Sequence, residues 1–453
     1  MSSPILTMNR LLVRNMLQFP LFFRCAFLFL GSCVLVSVVG IPHVDAAYGT
    51  LTYRYAYHLF TLRPADYDEW KTTEETWFYR GEPVQPLNVW RTDGDHVPAL
   101  PFGVERRVRI AWDREAIARV IQLRIATVLN RDPGSVVIGR ADGGAVTFDG
   151  VGLPGRRVRI EEAVTLTIQA LEEGIDDIIL PVDILQPAIT VTDPYLQDRG
   201  IAEVVTVGES DFAGSSANRI HNITVGLARF NGHIIPQGAT FSFNDVMGPV
   251  NRETGYKPEL VILGDKTLPE YGGGLCQVST TAYRGVWEYG FPIVARRNHS
   301  FVVRYYSPPG TDATIYPPNT DMRFMNDGPS DLLLQTHIAD GKAYFIYYGL
   351  RDTRTADLIG PYTWGNVPPP AERIEYTTSI PPGTTRKAGE AVPGVRAAWF
   401  RIVYRPGVDP VIENYYSIYE ARPYYLQIGI EPGQIIPGTE PEEPDWLHLP
   451  DSE

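Results

Sequence analysis

Tyr271-Gly272-Gly273-Gly274-Leu275-Cys276-Gln277-Val278-Ser279-Thr280-Thr281 is the stretch around which the chain is organised. Three consecutive glycines make a loop that can take positive φ and bring backbone close to a ligand. The residues that follow, Gln277 to Tyr289, contain no proline and read as a helix, although Ser279, Thr280 and Thr281 are weak helix formers. Cys276 then sits at the helix N-terminus, where free N–H groups and the positive end of the dipole lower a thiol's pKa. Cys25 and Cys33 lie in an apolar N-terminal segment, so Cys276 is the single thiol of the remaining chain, without an internal disulfide partner. Two readings stand at this point. The thiol is a prepared nucleophile, or it is a small residue packed behind a glycine turn, as free cysteines usually are.

The chain has 453 residues, enough for two to four domains, with 44% hydrophobic and 21% charged residues. A net charge of −13 argues against nucleic acid as a partner and against a basic membrane-surface patch. The 38 prolines, 41 glycines and 25 tyrosines point to a loop-rich, strand-rich chain rather than a helix bundle. At the N-terminus, Arg10, Arg14 and Arg24 precede an uncharged run from Cys25 to Ile41. That run falls slightly short of the about 20 residues a spanning helix needs. Val44-Asp45-Ala46 has the small-x-small form of a signal-peptidase site. Residues 1–47 read as a signal peptide or, uncleaved, as a membrane anchor with its positive side inside. Either way the rest of the protein is expected outside the cytoplasm.

Residues 48–101 read as an N-terminal extension, with Leu51 to His58 as a strand and Trp70, Trp77 and Trp90 placed to pack against it. Residues 102–209 read as a small α+β unit. Asp113 starts a helix carrying Ile117, Val120, Ile121 and Ile125. A hairpin crosses Asp142-Gly143-Gly144, a second helix runs from Ile160 to Leu171, and a strand from Asp177 to Asp183. Residues 210–367 form the core: a helix carrying Ile220, Ile223 and Leu227, a short strand Thr240–Phe243, the Cys276 helix, and strand around His299. Gly310–Tyr316 reads as the next strand, and two more are joined at Asp340-Gly341. Pro368-Pro369-Pro370 is a stiff linker to a small all-β module over residues 368–433. Residues 434–453 are an acidic, proline-rich tail expected to be disordered. The fold class is α+β and multidomain.

Cys276 at a helix start, His299 on the next strand and Asp312 on the strand after it supply a thiol, a base and a group to orient the base. Papain-like and transglutaminase-like folds share this helix-plus-antiparallel-sheet layout, an analogy of arrangement only. The amides of Gly274 and Leu275, or the Gln277 side chain, are candidate oxyanion donors. Arg219, His221, Asn222, Arg296 and Arg297 are candidate groove residues for a ligand carboxylate, and Ser279 is a further candidate contact. Each also has an ordinary role: His299 as a satisfied strand histidine, Asp312 as a turn former, and Cys276 with His299 as half of a metal site. No second ligand pair stands at metal-like spacing, and no cofactor is called for.

Several motifs together resemble the VanW family. They are Arg219-Ile220-His221-Asn222-Ile223, Phe241-Ser242-Phe243-Asn244, Gly255-Tyr256, Gly272 through Thr281, Arg297-Asn298-His299-Ser300 and Asp312-Ala313. The likeness covers about Ser210 to Ile338. Residues 102–197 are similar to the peptidoglycan-binding unit that often precedes this domain. The ending, with Pro381-Pro382-Gly383 and Ser417-Ile418-Tyr419, is similar to the ending seen in the family and more weakly to the five-glycine adhesion module. The sequence departs from the usual pattern at Gln237-Gly238, where proline-glycine is common, and at Leu275, where isoleucine is. The resemblance implies a bacterial cell-envelope protein acting on or near peptidoglycan and its peptide stems, and it names no reaction. Vancomycin resistance is not carried over from the family's name. The two functional expectations are a Cys-His-Asp acyl-transferase or amidase, and a non-catalytic peptidoglycan-binding scaffold.

Overall fold

The computed structural model describes residues 49–85, 103–263 and 266–434. The expected targeting segment, Trp90 and the acidic tail from residue 435 lie outside the described residues. Among the described residues, no helix is long and apolar enough to cross a membrane.

The chain is mixed helix and sheet, with strands dominating. Leu51–Tyr55 and His58–Leu62 form a hairpin, and the first of these strands runs parallel to Asp177–Ile179. The helices Arg114–Ile121 and Ile160–Glu173 bury Ile117, Ile121, Val164 and Leu171 in one cluster with Tyr53, Trp70 and Ile178. The extension and the α+β unit therefore share a core. Asp113 caps the first helix by accepting from the Ala116 amide at 2.9 Å. Gly174, at φ 68°, ends the second. The hairpin Ser135–Arg140 with Val146–Gly150 gains a parallel third strand, Ala188–Val191.

The core sheet is antiparallel, in the order Glu203–Asp211, Lys342–Gly349, Leu332–Ala339, Ile234–Ile235. Asp340 (φ 50°) and Gly341 (φ 73°) turn its central hairpin, the positive-φ pair that matches strand twist. The helix Leu275–Tyr289 lies against this sheet and is buried on almost every side, polar residues included. It approaches backbone to backbone: a Cβ on Gly208 would stand 1.9 Å from the Thr281 carbonyl oxygen, and one on Gly285 2.5 Å from the Gly208 nitrogen. A helix buried all round has no 3.6-residue polar alternation, so its sequence looks weak although its setting is strong. The helix Ala217–Ala228 packs beside it through Ile223 and Leu227.

Beyond the core, Thr355–Val367 pairs with Gly394–Arg405, which pairs with Val408–Tyr419. Pro368–Pro370 leads from this sheet into a second one, Arg373–Thr377 beside Tyr425–Gly429 beside Thr385–Gly389. The first sheet grips the core. Arg401 donates to the carbonyls of Trp287 (2.8 Å) and Phe291 (3.0 Å) at the end of the central helix, where a cation also suits the helix dipole. Trp399 meets Trp287 edge to face at 5.5 Å.

Three sequence expectations need correction. Ser300–Tyr306 is not a strand: it is irregular and ends in a single 3-10 turn, Arg304–Tyr306. Its carbonyls find scattered partners instead of a ladder: the Ser300 carbonyl accepts from the Glu420 amide at 2.6 Å, and Arg284 donates to the Tyr306 carbonyl (2.9 Å) and to that of the following Ser307 (3.0 Å). Residues 311–315 are extended but lie in no sheet. Hydroxyls of the central helix take the place of a neighbouring strand there, since Ser279 donates to the Ala313 carbonyl at 3.0 Å and Thr280 accepts from its amide at 3.1 Å. The short strand stops at Ser242, which caps the helix Phe243–Met247. The papain-like plan, with histidine and carboxylate on neighbouring strands, is therefore not what carries His299 and Asp312; both sit on loops.

Candidate functional site

Gly274 precedes the central helix with φ 116°, a conformation side chains rarely adopt, and a Cβ there would crowd Ile223 and Arg219 at 3.1–3.2 Å. This glycine lets the chain turn sharply into the helix and leaves Cys276 in its first turn, half-buried. The Cys276 sulfur contacts Thr314 Oγ1 at 3.3 Å and the Ile315 carbonyl at 3.7 Å. His299 and Asp312 are buried beside it, at 4% and 2% exposure.

Asp312 is the organiser. Its Oδ2 accepts from His299 Nδ1 at 2.6 Å and from the His299 amide at 2.8 Å. Its Oδ1 accepts from Tyr419 at 2.5 Å and from Arg296 at 3.1 Å. Four donors on one carboxylate fix its orientation and, through it, the imidazole. The ring of Tyr306 stacks on His299 at 4.6 Å and 23°, which closes one face of the imidazole.

The electrostatics follow from these contacts. Burial works to protonate Asp312, but its hydrogen bond and charge interaction with His299, then the charge of Arg296, hold the carboxyl well below the usual carboxylate range. Burial works to lower His299, yet the Asp312 hydrogen bond and then the Cys276 interaction raise it to about 9. Burial works to raise the Cys276 thiol, yet the hydrogen bond to His299 and its charge leave the thiol below its ordinary value. At neutral pH His299 carries its proton, and that imidazolium favours the ionised form of the thiol beside it.

Several residues singled out from sequence stand elsewhere. Gln277 is wholly buried. Its Nε2 donates to Ser210 (2.7 Å) and the Asp211 carbonyl (3.1 Å), and its Oε1 accepts from Arg219 (2.8 Å), so it has no donor left for an oxyanion. The Leu275 amide is spent on the Gly272 carbonyl at 3.0 Å. The amides of Gly274 and Cys276 have no acceptor among the described residues, which leaves them free to donate to a ligand at this helix start. Ser279 faces the Ala313 carbonyl and not a groove. Asn222, fully buried, ties the Lys257 and Gly273 carbonyls at 2.9 and 3.0 Å and so holds the glycine loop. His221 is bound to the Gly255 carbonyl at 2.8 Å. Arg296 is turned onto Asp312, Gly310 and Ser417 and positions the carboxylate. Arg297 is exposed, and its carbonyl accepts from the Thr314 amide at 2.8 Å. Arg219 lies beside Gln277 and Tyr306, partly exposed.

Sequence reasoning missed Tyr419, Tyr306 and Thr314. Tyr419 stands 107 positions from Asp312, so no local spacing reports it. Among the described residues, no group of three or more His, Cys, Asp or Glu is arranged to hold a metal ion.

Residues 218–348 match the family described as VanW like protein, a span that contains Cys276, His299 and Asp312. An uncharacterized protein, YoaR, of Bacillus subtilis is 35% identical over 137 residues, which are 30% of this chain and 45% of that protein. The vancomycin B-type resistance protein VanW of Enterococcus faecalis is 30% identical over 116 residues, 24% of this chain and 42% of that one. The chain thus spans less than half the length of these curated relatives. A solved structure of HP0197-G5 is matched over its whole length by 17% of this chain, at 19% identity and a TM-score of 0.09; so low a score carries no argument.

Proposed function

We propose that this chain, a member of the VanW-like family through its core domain, is a cell-envelope enzyme that acts outside the cytoplasm on the peptide stems of peptidoglycan. The reaction class is acyl transfer or amide hydrolysis. The Cys276 thiolate attacks a substrate carbonyl, forming a thioester through a tetrahedral intermediate. The oxyanion is met by the Cys276 and Gly274 amides. His299, protonated in the resting pair, delivers its proton to the leaving amine, then takes one from the incoming water or amine. Asp312 keeps Nδ1 as a donor and stabilises the imidazolium. The observation that carries this reading is the 2.6 Å contact between His299 Nδ1 and Asp312 Oδ2 beside a thiol of lowered pKa.

The second reading is a peptidoglycan-binding scaffold without catalysis. The contacts of Cys276 with Thr314 and Ile315 favour it, because an ordinary packed thiol makes the same ones. The two part in one assay. The protein and its Cys276→Ala variant are incubated with muropeptides, and products are followed by mass spectrometry. Turnover lost in the variant supports the enzyme; equal turnover by both removes it.

A further inference from the structure

A cleft of about 570 Å³ reaches the residues on either side of Tyr306, lined among others by Tyr305, Arg304, Arg284, Lys342, Glu209 and Asp211, while Cys276, His299 and Asp312 are not in its lining. That volume lies within the range of small-molecule sites, about 300–1,000 Å³. Its charges lean positive, with Arg284, Arg304 and Lys342 against Glu209 and Asp211. Glu209 is answered by Arg131 at 2.8 Å and Arg156 at 2.9 Å, neither of which lines the cleft. Arg284, 3% exposed, donates only to neutral oxygens, those of Thr311, Tyr306, Ser307 and the Glu209 carbonyl. Arg304 and Arg219 both lie against the Tyr305 ring, at 5.6 and 4.1 Å from its centre. Neither has a carboxylate partner among the described residues.

Arg219 does not itself line the cleft, but it bridges from the cleft's Tyr305 ring to the helix that carries the thiol. Its Nη1 donates to Ser215 at 2.6 Å and its Nη2 to Gln277 Oε1 at 2.8 Å, one residue beyond Cys276. Nη2 lies 3.5 Å from the hydroxyl of Tyr306, whose ring covers His299. Both guanidinium groups lie near one ring without a carboxylate partner among the described residues, and an anion bound there offsets their charge. A guanidinium fork with unused N–H groups matches a carboxylate in shape as well as charge.

We propose that the Tyr305 end of this cleft, with Arg219 adjoining it, is a substrate subsite in which Arg219 and Arg304 hold a free carboxylate of the acyl substrate while its carbonyl reaches Cys276. The inference rests on the nucleophile reading of Cys276 and adds the charge class of the substrate. The test compares alkylation of Cys276 by iodoacetate, which carries a carboxylate, with alkylation by neutral iodoacetamide. In each case the sulfur displaces iodide, and only the charge of the reagent differs. The His299 imidazolium favours iodoacetate in every variant, so the readout is the change in the rate ratio when an arginine is removed.

Arg219→Gln, which keeps a hydrogen-bonding side chain, is expected to lower the iodoacetate-to-iodoacetamide ratio about tenfold, the size of a local steering effect. Exposed Arg304→Gln is expected to lower it less, the iodoacetamide rate of each variant serving as its own measure of thiol reactivity. A ratio unchanged in both variants overturns the subsite. A thiol inert to both reagents overturns the nucleophile reading instead. The subsite is then decided by calorimetric titration with N-acetylalanine and its amide, in which binding of the acid that is no stronger than binding of the amide overturns it.

Discussion

Replacing Tyr419 by phenylalanine removes one oxygen and leaves the ring. That oxygen donates to Asp312 at 2.5 Å and accepts from the Gly310 amide at 2.7 Å, in a side chain 4% exposed. A hydrogen bond to a charged group contributes about 1.5–3 kcal/mol, and a buried N–H left without an acceptor costs about 1–3 kcal/mol. Tyr419→Phe should therefore lower folding stability by about 3–4 kcal/mol at neutral pH. Asp312 keeps its three remaining donors, two from His299 and one from Arg296. The imidazole stays oriented, so Cys276 alkylation should change by less than about threefold, under ~0.7 kcal/mol.

The pH dependence separates this bond from a packing effect. The folded-state pKa of Asp312 is depressed, so its contribution is present above the unfolded carboxyl value, about pH 4, and is lost as pH falls further. The gap between Tyr419→Phe and the parent should hold through about pH 4 and narrow only as pH falls through the depressed folded-state value of Asp312. Urea unfolding followed by tryptophan fluorescence at several pH values measures it. A loss below about 1 kcal/mol at neutral pH, or one that already fades between about pH 7 and pH 5, refutes the assigned role.

Two further outcomes test the site and the fold. Iodoacetamide labelling of Cys276 should rise at a lower pH than for an ordinary thiol and change again at about pH 9, where His299 loses its proton. The same proton stabilises the fold fully below the unfolded histidine value, about 6.5, and ceases to do so as pH rises through about 9. In His299→Gln the thiol should titrate at about 8.5 or above, and a parent profile superimposable on that of the variant removes the ion pair. Gly208→Ala should cost more than about 4 kcal/mol or abolish folding, because its Cβ meets the Thr281 carbonyl at 1.9 Å, whereas Gly143→Ala, with nothing within 4 Å, should be nearly neutral. Soluble expression and melting temperature decide, and a stable Gly208→Ala protein contradicts the close helix–strand contact.

Much of the fold could be read from local chemistry. The Asp340-Gly341 turn, the Asp113 cap, the Gly174 stop and the Gly274 entry into the central helix each follow from one residue's conformational preference. The loops bearing His299 and Asp312 could not, because their backbone groups bond to side chains of Arg284, Ser279 and Thr280 rather than to a strand. Their order along the chain suggested a thiol–imidazole–carboxylate set, but the groove residues were harder to judge. Asn222, Gln277 and Ser279 look like ligand-binding polar groups, and only burial shows that their hydrogen bonds are spent on holding backbone. Tyr419 left no local trace, since the contact that matters arises only when the C-terminal sheet folds back.

The strand pair that grips the core has a mechanical meaning. Gly394–Arg405 holds the end of the thiol's helix through Arg401, and Val408–Tyr419 holds the histidine's carboxylate through a phenol. Tension drawn along the C-terminal chain would load both anchors together, so a protein tethered by that end to a stretched wall would feel the pull at its sulfur.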